Sequence, residues 1–448
     1  MKNTRKRRKT QLKILIVLLL VALAGAAATI YMDYQARPGF LEKVWISDRG
    51  ADYLTVAWGK VRNVDKYVVM YNGKTVQVNG RKSNITITGL DEDTYYEFSV
   101  RADSKEREGF ETLTASAKTK KNPHITGENE FIKFANRPVD LKQKAEVPVT
   151  YAAGDGYKVT EDNKIIFTKS GSITVKAQTS ETEEYASASK DITVDVLDTV
   201  SVDAKGAKPH VFYKLNKQNC ECVMSIQGVK EAEIPQSFAY NDGKYVVSYV
   251  AYITEEYPYD TQRTITFGDG KKVYEPEIYL GHCNGTTFAK GRYYVVQGRN
   301  KAFTTFDESF KDYKAYEFPD NVSGIAYDET TDMFYTSDRS GMTAYSSDFS
   351  IVNTVARVKH KSKHYCQDCA AYGGILMHCV SGEGYVGTNY IDFYDMVNSK
   401  YLGTIECQLS EVESIIVDDE GYIELLGNEH SITDYIWKTP VNIKKICD

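Results

Sequence analysis

A ten-residue phrase, QSFAYNDGKY from Gln236, returns as NGTTFAKGRY from Asn284 and more loosely as ESIIVDDEGY from Glu413. SGIAYDETTDMFYTS from Ser323 and QDCAAYGGILMHC from Gln367 keep the same order: polar start, apolar stretch, turn, second apolar run. The starts lie 48, 39, 44 and 46 residues apart, a period near 44. A unit that recurs along one chain cannot bury its apolar face alone, so the period restricts the fold to stacked or closed arrays. The third unit carries two extra residues at its turn, and the fourth replaces the aromatics with Ala and Leu.

Each unit continues with further strand-like runs, such as MTAYSS from Met342 and YIDFYD from Tyr390. About four strands per 44 residues is the arithmetic of a β-propeller blade. Five phrases predict five blades over residues 205–448, or six if a degenerate unit precedes Gln236. HVFYKL and CVMSIQ precede the first phrase and IWKTPV follows the last. These strands from the two ends are expected to share one blade and close the ring, which leaves few sheet edges open. The Gly-His and Trp-Asp marks of WD40 blades are missing, as is a regular Asp-box. The repeats look more like the five-bladed or YVTN and NHL-like propellers of bacterial surface proteins.

Ahead of the repeats, MKNTRKRRKTQLK (residues 1–13) holds seven positive residues and no acid, and Ile14–Met32 is uncharged over 19 residues. That is about the length that spans a bilayer core. The charge asymmetry predicts a single-pass anchor in the cell membrane, with the basic end in the cytoplasm and everything after Asp33 extracellular. A cleaved signal peptide is the alternative, because Ala24, Ala26 and Ala28 resemble an A-x-A cleavage site. Without the seven positives the formal charge moves from −6 to −13, a surface that repels phosphate backbones and argues against nucleic-acid binding. The 34 tyrosines, with many Val, Ile and Thr, favour strands, so the chain is expected to be mostly β.

VWISDRGADYLTVAWGKVRNVDKYVVMY alternates apolar and polar residues in short runs. Trp58, followed by Leu90, Thr94, Tyr96, Phe98, Val100 and Ala102, makes residues 37–121 resemble a fibronectin type III domain. The resemblance implies a core Trp58 between two sheets and a corner tyrosine, Tyr96, whose hydroxyl ties a loop to the backbone. Residues 122–199 resemble a bacterial Ig-like domain through Gly171, Ile173, Val175, Tyr185 and Ala186. Both resemblances imply spacers. The fold class that follows is all-β: a transmembrane helix, two sandwiches and a C-terminal propeller.

All eight cysteines lie in the repeat region, and an even number in an exported chain reads as disulfides. One of Cys220 and Cys222 is placed to meet Cys447 if the chain ends share a blade. His364, Cys366, Cys369, His378 and Cys379 offer zinc ligands, but the region holds a single CxxC where structural zinc pairs two, so neither metal nor cofactor is expected. No G-x-S-x-G elbow, H-E-x-x-H or Walker loop occurs, and Gly268-Asp-Gly reads as a hairpin turn.

In a propeller the inner strands line the axis, so the polar residue opening each phrase should converge at one mouth. Those residues are Gln236, Asn284, Ser323, Gln367 and Glu413, with His282, Asp368 and Glu411 within two positions. The apolar members Phe238 with Tyr240 and Ile415 with Val417 are expected to pack between blades. Donors, acceptors and one or two carboxylates in a concave site suit a glycan, a cell-wall component or a surface protein. A carbohydrate-active hydrolase or lyase is the alternative, with Glu411 and Glu413 on one strand face as a carboxylate pair. Bound water and capped strand ends would also account for such groups.

Overall fold

The computed structural model describes residues 2–105, 107–109, 112–227, 233–251, 262–268, 271–275, 280–298, 300–361, 364–382, 387–431 and 433–448. Asp269 and Gly270, which complete the turn expected at Gly268, lie outside them. The protein is mostly β with a long apolar N-terminal helix, Lys2–Ala36. This helix has the length and composition of a membrane anchor or a signal sequence. By internal contact the chain divides into one unit of Met1–Gly127, Gln143–Thr150 and Ala177–Lys190, and another of Glu128–Lys142, Tyr151–Lys176 and Asp191–Asp448.

In the first unit the helix runs into a sandwich. The Asn63 side-chain amide donates to the carbonyls of Gln35, Ala36 and Arg37 at 3.0–3.2 Å, and the Ser104 hydroxyl donates to Ala36 O at 2.9 Å. Carbonyls orphaned at the helix end are thereby satisfied. One sheet orders Val44–Arg49, Tyr53–Trp58 and Asn84–Thr88; the other orders Lys74–Asn79, Lys66–Tyr71, Tyr95–Asp103 and Thr112–Lys118. Period-two alternation sends Leu54, Val56, Trp58, Tyr67, Val69, Phe98 and Val100 into the core between them. The Tyr96 hydroxyl accepts the Asp91 N–H at 2.9 Å, which is the loop tie expected of a corner tyrosine.

In the second unit, Glu130–Phe134 runs parallel to the end of Ser189–Leu197. Lys133 is fully buried, and its ammonium donates to the carbonyls of Lys445 and Ile446 at 3.1 and 3.2 Å. It thus serves the end of the C-terminal helix Ile443–Cys447.

The repeats form a β-rich region that resembles propeller folds. Each phrase is an antiparallel hairpin whose first strand lies innermost: Glu233–Asn241, Gly285–Ala289, Gly324–Asp328, His364–Tyr372 and Glu411–Val417. Every inner strand lies beside the next, and the last lies beside the first. The tight turns take left-handed backbone at Asp242-Gly243 (φ 47° and 77°) and Lys290-Gly291 (φ 49° and 73°), as two-residue hairpins with matching twist require. Phe238 packs with Ile416 and Leu426 of the neighbouring sheet, and Ile415 packs with Leu425 and Val412.

Closure follows the expected strands in part. Glu221–Gln227, which contains CVMSIQ, pairs antiparallel with Thr433–Asn442, which contains IWKTPV. HVFYKL does not join that sheet. Val211–Asn216 instead runs parallel to Lys400–Gln408 and adds a fifth strand to the preceding sheet. Phe212 there meets Phe393 and Phe134 edge-on at 5.3 and 6.4 Å, burying apolar surface that a shared blade would leave outside. All eight cysteines are free, and Cys447 lies against the Tyr372 carbonyl at 3.8 Å rather than bridging to Cys220 or Cys222.

Candidate functional site

Strand geometry decides which of the opening residues meet. Three of the inner strands carry a β-bulge at their leading end: Gln236 between Pro235 and Ser237, Gln367 and Asp368 between Cys366 and Cys369, Glu413 between Val412 and Ser414. An extra residue in one strand re-aims a side chain that regular alternation would send elsewhere. The other two strands begin just after Asn284 and Ser323.

Asn284, Gln367 and Glu413 join directly. The Asn284 amide donates to Gln367 Oε1 at 3.3 Å, and Gln367 Nε2 donates to Glu413 Oε2 at 2.6 Å and to the Ser381 hydroxyl at 2.9 Å. All four side chains are buried. Asn428 Nδ2 then donates to Glu413 Oε1 at 3.4 Å and Glu411 Oε2 at 3.5 Å, and Glu411 meets His430 Nε2 at 2.8 Å. Side-chain exposure rises to 19% at Glu411 and 22% at His430, so the chain of bonds leads from the buried axis to solvent.

Burial, followed by the charge of Glu411, holds the Glu413 carboxyl well above the usual carboxylate range. Burial also raises Glu411 and lowers His430. The network is thus tuned toward uncharged groups that donate and accept, since burying an unpaired charge is expensive.

The remaining expected members are placed differently. Gln236 is buried in its bulge, and Ser323 is half-buried with its N–H on the Ser337 carbonyl at 2.7 Å. His282 stands beside Asn284, since a Cβ on Gly298 would lie 3.1 Å from Asn284 Cβ and 3.3 Å from His282 Cβ. Asp368, although adjacent to Gln367, accepts the N–H groups of Ile325 at 3.1 Å and Cys369 at 2.8 Å and the Ser414 hydroxyl at 2.6 Å. Its carboxyl is pushed up to about 8 by burial, against those hydrogen bonds. Inner strands press against it: a Cβ on Gly285 would lie 2.4 Å from Asp368 Oδ1, and one on Gly324 would lie 2.7 Å from Asp368 Cα. Asp368 therefore fills the axis as a plug that ties neighbouring strands together.

Sequence reasoning missed Asn428, Ser381 and His430. Asn428 pairs with Glu411 across the hairpin, so its place opposite the carboxylate pair was the available signal. The alternative zinc set does not converge. Cys366 Sγ contacts Arg357, Cys369 packs with Tyr335 and Leu376, Cys379 Sγ points to the Val412 carbonyl at 3.6 Å, and His364 Nε2 faces Thr388 O at 3.2 Å. His378 is buried with neither ring nitrogen hydrogen-bonded, and burial holds it down at about 4.

No curated protein matches the chain. Among solved structures it is similar to Myxococcus xanthus glutaminyl cyclase, at 13% identity over 48% of this chain and 97% of that one, TM-score 0.36. It is similar also to the WD40 domain of Neurospora crassa Pan2, at 10% identity over 51% and 98%, TM-score 0.29. The fibronectin type III domain of the human collagen alpha-1(XX) chain shares 26% identity over 18% and 83%, TM-score 0.16. Residues 41–118 match the fibronectin type III domain model, so the chain carries that domain ahead of its propeller-like region.

Proposed function

We propose that this chain is a membrane-tethered surface protein whose fibronectin type III and Ig-like sandwiches carry a five-bladed propeller as a binding head. The head binds a hydroxyl-rich ligand, a glycan or cell-wall component, at the leading end of the inner strands. The observation that carries this reading is the preformed run from Asn284 through Gln367, Glu413 and Asn428 to Glu411. Amides and a carboxyl held toward its neutral form offer both donors and acceptors, which matches neutral hydroxyl groups rather than ions. The seven basic residues ahead of the uncharged N-terminal span support a cytoplasmic start and an extracellular head.

A second reading has one specific observation in its favour. Glu411 and Glu413 both reach Asn428 Nδ2, which keeps those oxygens no more than about 7 Å apart, a bound that overlaps the separation glycosidic bond cleavage uses. Glu413 would be the acid and Glu411 the base of a carbohydrate-active hydrolase. A binding screen against glycans and peptidoglycan fragments, run beside a hydrolysis assay, separates the two. Binding without turnover is expected; turnover lost in Glu413→Gln would establish the second reading, and neither binding nor turnover would sink both.

A further inference from the structure

The opposite, trailing end of the inner strands holds a different concavity. It encloses about 110 Å³ and is lined by Tyr240, Phe288, Tyr327, Ala371, Ile416 and Val417. Five of these stand four residues after each phrase begins, so the repeat itself builds the ring. Tyr240 and Val417, expected between blades, are only half-buried here. A cavity of about 150 Å³ accepts a benzene ring, so this cup suits a group slightly smaller.

Its aromatic members are held in place by the same cross-strand pair used three times. Tyr240 packs on Tyr245, Phe288 on Tyr293 and Tyr327 on Phe334, with ring centroids 5.0, 4.9 and 4.9 Å apart. The fourth and fifth positions, Ala371 and Val417, leave open the space those rings surround.

The hairpin turns around the cup carry an acidic excess. Of the cations there, Lys290 pairs with Asp332 at 2.6 Å and lies over the Tyr327 ring at 5.5 Å, Lys438 pairs with Asp418 at 2.7 Å and Arg292 with Asp312 at 2.8 Å, and Lys244 extends from the Tyr240 hairpin into solvent. Asp419 and Glu329 are exposed, and neither has an ion pair among the described residues. Tyr327 donates its hydroxyl to Asp332 at 2.8 Å, and Tyr245 donates to the buried Glu424 at 2.8 Å. Burial, then the negative charge of Asp419, push the Tyr240 phenol up.

We propose that this cup is a binding site for a compact alkylammonium group, seated among Tyr240, Phe288 and Tyr327 with the acidic turns around it. Aromatic rings attract a cation through their quadrupole, and carboxylates nearby add to the attraction without a direct ion pair. The Asp368 plug separates this site from the polar one at the leading end, so the two stand or fall independently.

Titration calorimetry on the full chain in maltoside micelles at low salt tests it. The probes are choline, butylammonium, glycerophosphocholine and dimethylbutanol, the uncharged isostere of choline. Choline should bind roughly millimolar and at least about fivefold more tightly than dimethylbutanol. Glycerophosphocholine should bind more weakly than choline, because the acidic turns repel its phosphodiester; tighter binding would show a lipid headgroup site and overturn the assignment. Tyr327→Leu and Tyr240→Leu should each weaken choline about 3- to 30-fold with the melting temperature held. Val417→Lys, which places an ammonium in the cup, should abolish choline binding. Equal affinity for the uncharged isostere, unchanged choline binding in Val417→Lys, or no choline binding at all would overturn the proposal.

Discussion

Gly324→Ala tests the packing of the inner strands around Asp368. A Cβ at this position would lie 2.7 Å from Asp368 Cα, Cys369 N and Ser337 Oγ. Two of those atoms are backbone, so no side-chain rotation relieves the overlap, and overpacking of this kind costs about 1–3 kcal/mol. The displaced strand also carries the Ile325 N–H bond to Asp368, whose loss adds about 1 kcal/mol. The total of about 2–4 kcal/mol lowers the melting temperature of the repeat region by roughly 4–16 °C. Gly59→Ala is the control, because nothing lies within 4 Å of its added Cβ. Calorimetric melting of both variants beside the parent gives the comparison. A Gly324→Ala transition within 2 °C or so of the parent would refute the close approach of strands at the axis.

Acidity should stabilise the repeat region. Burial raises Asp368 to about 8 and Glu424 and Asp434 to about 7, so each binds a proton when folded that the unfolded chain has released. Their stabilisation is full below the ordinary carboxylate range and is lost as pH rises through those values. His378, held near 4 against an ordinary 6.5, works the other way only below 6.5. The melting temperature is therefore expected to fall between pH 6.5 and 8, and Asp368→Asn to flatten that slope; a rise over the same window would contradict the assignment. Lys133→Ala leaves the Lys445 and Ile446 carbonyls unpaired and should cost about 1–3 kcal/mol in denaturant titration, whereas a neutral result would show that water replaces the ammonium freely. An impermeant maleimide on intact cells should label the exposed Cys222, while labelling confined to lysed cells would place the head inside.

Much of the scaffold could be read from residue spacing. Trp58 and Tyr96 sit where alternation and corner geometry put them, and the repeated turn residues mark the inner hairpins. The candidate site was legible only in part, because period-two reasoning has no means of locating a bulge. Gln367 and Asp368 look like neighbours in one site, yet the bulge sends one into the amide network and the other into the plug. Tyr240 reads as a core residue from its apolar surroundings, but it lies where the inner strand emerges and is half-exposed. HVFYKL misleads for a related reason: a strand pattern reports which face is buried, not which sheet supplies the partner. Cysteine spacing likewise says nothing of side-chain direction, so Cys369 and Cys379 pack in separate clusters.

The most direct test of the binding head is the affinity of the best glycan or cell-wall ligand for the parent compared with Glu413→Gln and Asn284→Ala. Glu413 and Asn284 lie at the two sides of Gln367 in one hydrogen-bonded run. The reading predicts a loss of about tenfold or more in each variant, the scale of one or two buried hydrogen bonds, measured at a temperature where both variants remain folded. Unchanged affinity in both variants would contradict it and move ligand binding away from the leading end of the inner strands.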